Sequence, residues 1–174
     1  KESIALDLKS ESGKAALTEL IKSADVLVEA FRPGVISRLG FGPDAVKALN
    51  PKIVYCSISA FGQSGPWRDK PAHDTATVAA SGVLSLSCSP EGNSGPAIIG
   101  VAISDMLSSW AALSGILMAL LRRETTGEGD YLDVSGCGNS IAAHQPLTRA
   151  LILESLRCWA IELGVDGFRF DLGI

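Results

Sequence analysis

Two side chains in the middle of the sequence could carry out nucleophilic or proton-transfer chemistry. Asp105 opens the longest predicted helix, where the helix dipole keeps a carboxylate ionised near pH 7. Such a carboxylate can attack an activated carbonyl group, for example that of a thioester. An aspartate at a helix start is also an ordinary cap, and the neighbouring Ser104 could serve as one too. His73 could act as a general base or simply donate to a backbone carbonyl.

Two arginines and one long loop could contribute to a binding site. Arg32 and Arg38 could pair with phosphates, although arginines at helix ends are as often only solvated. The loop Gly62–Asp74 reads GQSGPWRDKPAHD and ends with His73 and Asp74. Loops of this length and composition are often functional. Backbone N–H groups of this loop could bind a carbonyl oxygen.

A second pair of polar side chains lies near the C-terminus. In the predicted strand Phe168–Leu172, Arg169 and Asp171 occupy the same face because side chains alternate along a strand. Arg169 could hold Asp171 ionised as a nucleophile. The same spacing is equally typical of a surface ion pair on an edge strand.

The elements that must position these residues alternate along the chain, which predicts an α/β fold with mostly parallel strand pairing. Strands are predicted by alternating or short apolar runs at Ser3–Leu8, Val26–Val28, Ile53–Ile58, Tyr131–Val134 and Phe168–Leu172. Helices are predicted at Glu11–Ser23 (capped by Ser10), Val35–Leu39, Asp44–Leu49, Thr75–Ala80, Asp105–Arg123 and Pro146–Leu163.

The composition narrows the classes of function. The chain has 174 residues, 47% of them hydrophobic, and a net charge of −4 with no basic patch, which argues against nucleic-acid binding. Its cysteines are widely spaced and it has only two histidines, which disfavours a zinc site. We expect reduced thiols and a cytoplasmic protein, with a disulfide-paired secreted chain as the alternative. The cysteines are Cys56, Cys88, Cys137 and Cys158.

The sequence shows no sign of a targeting segment or a membrane partner. No apolar run follows a basic region at the N-terminus. The longest apolar stretch, Ala111–Leu121, is interrupted by Ser114 and Gly115 and is too short to span a bilayer. Because the sequence begins without Met and directly on a strand-like segment, we expect a fragment.

Residues 1–134 resemble the family III coenzyme A transferases, the group that includes formyl-CoA and carnitine-type transferases and α-methylacyl-CoA racemase. Four blocks carry the resemblance, and together they cover about three-quarters of the chain. They are SIALDLKS (Ser3–Ser10), ADVLVEAFRPGVISRLGFG (Ala24–Gly42), NPKIVYCSISAFGQSGPWRDKPAHD (Asn50–Asp74) and TGEGDYLDVS (Thr126–Ser135).

This resemblance implies a partial Rossmann-like domain, an acyl-CoA thioester substrate, no tightly bound cofactor and an intertwined homodimer. In the transferases an aspartate takes the acyl group as a mixed anhydride and then carries CoA as a thioester. GVAISD matches that position and makes Asp105 the nucleophile. In the racemases this aspartate and a Gly-His-Asp histidine move a proton at the α-carbon, and His73 matches except that Ala72 replaces the glycine. Phe31 and Arg38 fall in the segment that meets the CoA nucleotide.

Residues 135–174 resemble a different group, the glycogen-debranching and isoamylase enzymes of the α-amylase superfamily. GCGNS and LILESLRCWAIELGVDGFRFDLG carry this resemblance, which implies a helix–strand fragment of a (β/α)8 barrel. Asp171 takes the nucleophile's place and Arg169 that of its partner. The general-acid Glu and third catalytic Asp of those enzymes have no match, and one carboxylate cannot do two-carboxylate chemistry. We therefore expect a chimera joined near Tyr131–Gly136, inactive on glycans and incomplete as a transferase.

Overall fold

A parallel three-stranded sheet is the centre of the fold. The computed structural model describes residues 2–86, 97–98 and 100–136, which all belong to the unit Lys1–Ile141. The described strands are β1 (Val26–Glu29), β2 (Val54–Ser59) and β3 (Asp130–Ser135), in the spatial order β1-β2-β3. Val26 pairs with Val54, and Val54 with Asp130. The parallel pairing predicted from the alternation of elements is confirmed for these strands.

Helices fill the connections between the strands, because parallel neighbours need a crossover. Before β1 lies α1 (Glu11–Ser23), where the Ser10 hydroxyl accepts from the Gly13 N–H at 3.1 Å as a cap. Short helices α2 (Val35–Arg38) and α3 (Pro43–Leu49) connect β1 to β2. The connection from β2 to β3 holds α4 (Asp74–Ala80), α5 (Val83–Leu86) and α6 (Ile103–Thr126). Except for α5, the sequence predicted each of these helices within three residues of its bounds.

The two faces of the sheet bury different side chains, as the alternation along β2 requires. On one face Tyr55 packs with apolar residues of the α1–α3 side of the molecule, and its hydroxyl donates to the Phe41 carbonyl at 3.0 Å. On the other face Cys56 packs with Ala112 of α6 and Val134 of β3. The first cluster consists of Ile21, Ile36, Phe41, Val46, Ile53 and Tyr55. The described part of the chain is therefore layered helix, sheet, helix.

The face of α6 that packs on the sheet is lined by small residues rather than leucines. Its buried positions are Ser104, Ser108, Ala112 and Ala119, and a methyl group added at Gly115 would lie 3.3 Å from Leu132 of β3. The larger apolar side chains of α6 form a leucine-rich stripe that points outward. Its members are between 47% and 73% exposed, and they are Leu107, Trp110, Leu113, Leu117 and Leu121. Small side chains let the helix axis approach the sheet closely, and for this reason this face of α6 packs on the sheet.

Two expectations about individual segments were wrong. Residues 3–8 form no strand, and Ile4 is 65% exposed, so the alternation there does not bury a face. The apolar stretch around Ser114 and Gly115 is not short, because these residues do not interrupt α6. This helix has 24 residues and a mean hydropathy of 1.4 over its most apolar window, so by length and composition it could cross a membrane. In the structure, α6 packs on β2 and β3.

Gly129, which directly precedes β3, lies in close contact with the chain segment that leads into β2. A side chain at Gly129 would overlap the Ile53 carbonyl, and the Gly129 N–H donates to the Pro51 carbonyl at 2.9 Å. We predict that Gly129→Ala lowers the free energy of unfolding by about 1–3 kcal/mol, measured by urea denaturation. Gly100→Ala is the control, because a methyl group there meets no atom of the described residues within 4 Å. Equal stability of the two variants would contradict this packing.

Candidate functional site

Three connections meet at the carboxyl edge of the sheet, where open parallel sheets generally bind ligands. The turn after β1 carries Phe31, and the Gly/Pro-rich loop follows β2. The N-terminus of α6 lies beside the end of β3, since a methyl group added at Gly136 would be 3.6 Å from the Ser104 Cβ. Phe31, His73 and Asp105, which the sequence predicted for binding or chemistry, therefore belong to connections at this same edge.

Two carboxylates fix the turn and the loop. The Glu29 side chain, which is 7% exposed, accepts from the Phe31 N–H at 2.8 Å. Asp133 of β3 accepts from the Gln63 N–H with both carboxylate oxygens, at 2.9 and 3.1 Å. The Gln63 N–H is thus directed at Asp133, so this particular N–H does not serve the carbonyl-binding role predicted for the loop.

Asp74 binds the first turn of α6 from a distant part of the chain. Its Oδ1 accepts from the Ser104 N–H at 2.7 Å, the Ser104 hydroxyl at 2.8 Å and the Asp105 N–H at 3.2 Å. The Ser104 hydroxyl also contacts the hydroxyl of Thr77, and both of these residues are buried. The Ser104 hydroxyl, followed by backbone N–H donors, holds the pKa of the Asp74 carboxyl below its usual value. The cap predicted for Asp105 or Ser104 is therefore supplied by Asp74.

The carboxylate of Asp105 is left available by this arrangement. Ala102 occupies the N-cap position of α6 and makes no side-chain bond to the helix. Asp105 is exposed in the first turn, and no residue of the described ranges binds its carboxylate. It borders a shallow, open depression of about 350 Å³ along the exposed face of α6, whose other lining residues are Ala102, Met106, Ser109, Trp110 and Leu113. An anionic nucleophile beside a largely apolar depression suits attack on an acyl group.

Asp74 connects His73, its neighbour in sequence, to the first turn of α6, which carries Asp105. His73 is exposed and precedes α4, where its carbonyl accepts from the Ala76 and Thr77 N–H groups at 2.9 and 3.1 Å. Because Asp74 follows His73 directly and binds the N–H of Asp105, the two predicted acid–base residues are placed at one helix junction.

The arginines after β1 and β2 meet near Gly34. A methyl group added at Gly34 would lie 3.3 Å from the guanidinium groups of both Arg38 and Arg68. Phe31 is 43% exposed in the same turn segment. Arg68 was not singled out by the sequence, because its approach to Arg38 depends on the folding of a long loop. Two guanidinium groups at one glycine form a site suited to phosphate.

The remaining candidates include residues that the structure does not describe. Arg169 and Asp171 lie outside the described residues, as do Cys88, Cys137 and Cys158. Burial, with the charges of Glu29 and Asp133, raises the pKa of the Cys56 thiol to about 11, so this cysteine is not a thiolate nucleophile. No group of three or more His, Cys, Asp or Glu side chains in the described ranges could hold a metal ion.

Comparison with known proteins gives consistent matches over most of the chain. The sequence model of CoA-transferase family III matches residues 1–152. The acetyl-CoA:oxalate CoA-transferase of Acetobacter aceti is 39% identical over 160 residues, which are 92% of this chain and 39% of that protein. The formyl-CoA:oxalate CoA-transferase of Streptomyces avermitilis is 42% identical over 135 residues, 78% of this chain and 32% of that protein.

A solved structure shows the same fold. The crystal structure of a CAIB/BAIF family protein from Brucella suis matches with a TM-score of 0.74 and 28% identity. That match covers 93% of this chain and 40% of the other, so the chain spans about two-fifths of the length of such proteins. The family match continues past the boundary predicted at residue 134, and these matches give no support to an α-amylase-type segment.

Asp74 makes the stability of this junction depend on pH. Its pKa is lowered on folding, so its contribution is present above the unfolded value of about 3.9 and is lost as the pH falls through the lower folded value. We predict that Asp74→Asn is less stable than the wild type at pH 7. The difference should become smaller as the pH falls below the unfolded value and through the lower folded one.

Urea denaturation followed by far-UV circular dichroism at pH 7, 5 and 3 measures this dependence. Asp44→Asn is the control, because Asp44 is exposed in the first turn of α3 and lies in a different cleft. A stability difference between wild type and Asp74→Asn that is the same at pH 3 and pH 7 would contradict the charged hydrogen bond.

Proposed function

Because this chain belongs to CoA-transferase family III, we propose that it takes part in moving coenzyme A between carboxylic acids, with Asp105 as the nucleophile. The single observation that supports this most is the position of Asp105. Its carboxylate is exposed in the first turn of α6, at the carboxyl edge of a parallel sheet, and borders a shallow depression lined mainly by apolar side chains. The relatives named above are CoA-transferases by description.

The chemistry is a pair of acyl substitutions without a redox step. A carboxylate oxygen of Asp105 attacks the thioester carbonyl, the carbon–sulfur bond breaks, and CoA leaves as a thiolate, forming a mixed anhydride. The thiolate then attacks the aspartyl carbonyl, which releases the first carboxylic acid and leaves CoA bound to Asp105 as a thioester. A second carboxylate repeats these steps in reverse, so atoms and charges balance.

The nucleotide part of CoA would bind near the segment after β1. Phe31 is partly exposed and could stack on the adenine ring, while Arg38 could bind phosphate. Arg68 could bind phosphate together with Arg38, because its guanidinium group also lies near Gly34. CoA is a substrate in this proposal, and no tightly bound cofactor is required.

The test is a single-turnover labelling of Asp105. After mixing the chain with an acyl-CoA, hydroxylamine converts an aspartyl anhydride or thioester to a hydroxamate, which peptide mass spectrometry locates. We predict a hydroxamate at Asp105 in the wild type and none in Asp105→Asn, because an amide is far less nucleophilic than a carboxylate. For repeated turnover under steady-state conditions, we still predict that this chain is inactive.

A matched control lies on the same helix. Glu124→Gln removes one negative charge from the exposed far end of α6 and should leave the labelling unchanged. Labelling of a carboxylate other than Asp105 in the wild type, or undiminished labelling in Asp105→Asn, would reject the assignment.

A second candidate function uses His73 with Asp105. In this version the two residues move a proton at the α-carbon of a 2-methylacyl-CoA, as acid and base. The observation that favours it is the bond between Asp74 and the Asp105 N–H, which brings the residue next to His73 onto α6. Deuterium uptake at the α-carbon, measured by mass spectrometry in D2O, identifies this activity. Uptake that persists in His73→Gln would contradict the role of the histidine.

The remaining expectations stay proposals. We propose that residues 135–174 form a partial glycosidase-like segment in which Asp171 and Arg169 lack the carboxylates needed for catalysis. Release of reducing sugar from glycogen measures that activity, and we predict none. A homodimer and a cytoplasmic location also stay predictions.

A further inference from the structure

The first turn of α6 depends on a carboxylate from another helix. Helix N-termini leave N–H groups without partners inside the helix, and these groups need an acceptor when solvent does not reach them. In α6 the N-cap residue Ala102 offers no side-chain acceptor. Asp74, thirty residues earlier, accepts from Ser104 and Asp105 instead. The orientation of this turn is therefore set by α4.

The contacts around Ser104 make the turn a closely packed unit. Ser104 is 4% exposed and donates its hydroxyl to Asp74 at 2.8 Å. Its Cβ lies beside Gly136 at the end of β3, and its hydroxyl contacts Thr77 of α4. Asp105 follows Ser104 directly, so any shift of this turn relative to α4 and β3 moves the Asp105 carboxylate as well.

We propose that Asp74 is a positioning residue for the reaction of Asp105. By binding the backbone of Ser104 and Asp105, it holds the first turn of α6, and the nucleophile on it, in one position relative to α4. This inference rests on the proposed function of Asp105 as nucleophile. Displacement of a reacting group by about 1 Å can reduce a rate on the order of a hundredfold, which is why a backbone acceptor can matter for catalysis.

A helix cap with no role in the reaction would have the same hydrogen bonds, so the test must separate the two. Loss of positioning lowers the maximum rate at which Asp105 forms an acyl or CoA adduct. It leaves the acyl-CoA concentration for half-maximal rate unchanged, because Asp74 does not contact the segment with Phe31 and Arg38. General loss of the fold would lower the final amount of labelled chain, whereas loss of positioning lowers the rate constant of labelling and leaves that final amount unchanged.

The experiment compares Asp74→Ala, Asp74→Asn and the control Asp44→Asn with the wild-type chain. Hydroxylamine trapping at Asp105 over a range of acyl-CoA concentrations gives the rate, the final amount of labelled chain and the half-saturating concentration. Hydrogen exchange of the Ser104 and Asp105 amides, followed by NMR, reports the bonds to Asp74 without requiring activity.

We expect Asp74→Ala to reduce the maximum labelling rate roughly tenfold to a hundredfold and to speed exchange of both amides about tenfold or more. Asp74→Asn should fall between Asp74→Ala and wild type, because its amide oxygen still accepts a hydrogen bond. Asp44→Asn should match the wild type in both measurements.

Other outcomes overturn the inference. A wild-type labelling rate in Asp74→Ala, despite faster exchange, would make Asp74 a cap alone. Unchanged exchange would show that Asp74 does not hold the turn. A changed half-saturating concentration or a lowered final amount of labelled chain would indicate an effect other than positioning. If the wild type itself forms no adduct at Asp105, the proposed function fails and the catalytic role of Asp74 fails with it. The exchange data then still report whether the bonds to α6 exist.

Discussion

Carboxylates that accept backbone N–H groups hold the connections together at the carboxyl edge of the sheet. Glu29 binds the turn after its own strand, Asp133 binds the loop after β2, and Asp74 binds the start of α6. Hydrogen bonds with an ionised acceptor are stronger than neutral ones, and each of these replaces water at an N–H that a loop or helix end would otherwise leave unpaired. These charged hydrogen bonds order the connections around the candidate site, and in the loop after β2 they act together with the packing of Phe61 on Trp67.

The same edge separates two kinds of surface. Near Gly34 the guanidinium groups of Arg38 and Arg68 give a cationic region, whereas the depression beside Asp105 is lined mainly by apolar side chains. The acyl-CoA that we propose as substrate has a corresponding division, with phosphates at one end and an acyl group at the other.

The candidate site could be predicted in part because its residues stand at recognisable positions in the sequence. Asp105 opens a long periodic helix, His73 ends a Gly/Pro-rich loop, and both assignments drew on motifs shared with a family. Asp133 and Arg68 were missed, because their importance comes from contacts with Gln63 and near Gly34 that sequence spacing does not reveal. Asp74 was noted only as part of a tripeptide, since its partners on α6 are thirty residues away.

By itself the sequence determined the positions of β1, β2 and β3, of every described helix except α5, and the parallel pairing of these strands, because capping residues, turn residues and apolar periodicity act over a few positions. Only the tertiary structure decided which face of α6 meets the sheet. The leucine stripe predicts a buried surface, yet the small residues Ser108, Ala112 and Ala119 pack inward, since they permit close approach to β2 and β3. The tertiary structure also decided that Asp74 caps α6. Which acceptor binds the free N–H groups of a helix start depends on which helix ends come together in space.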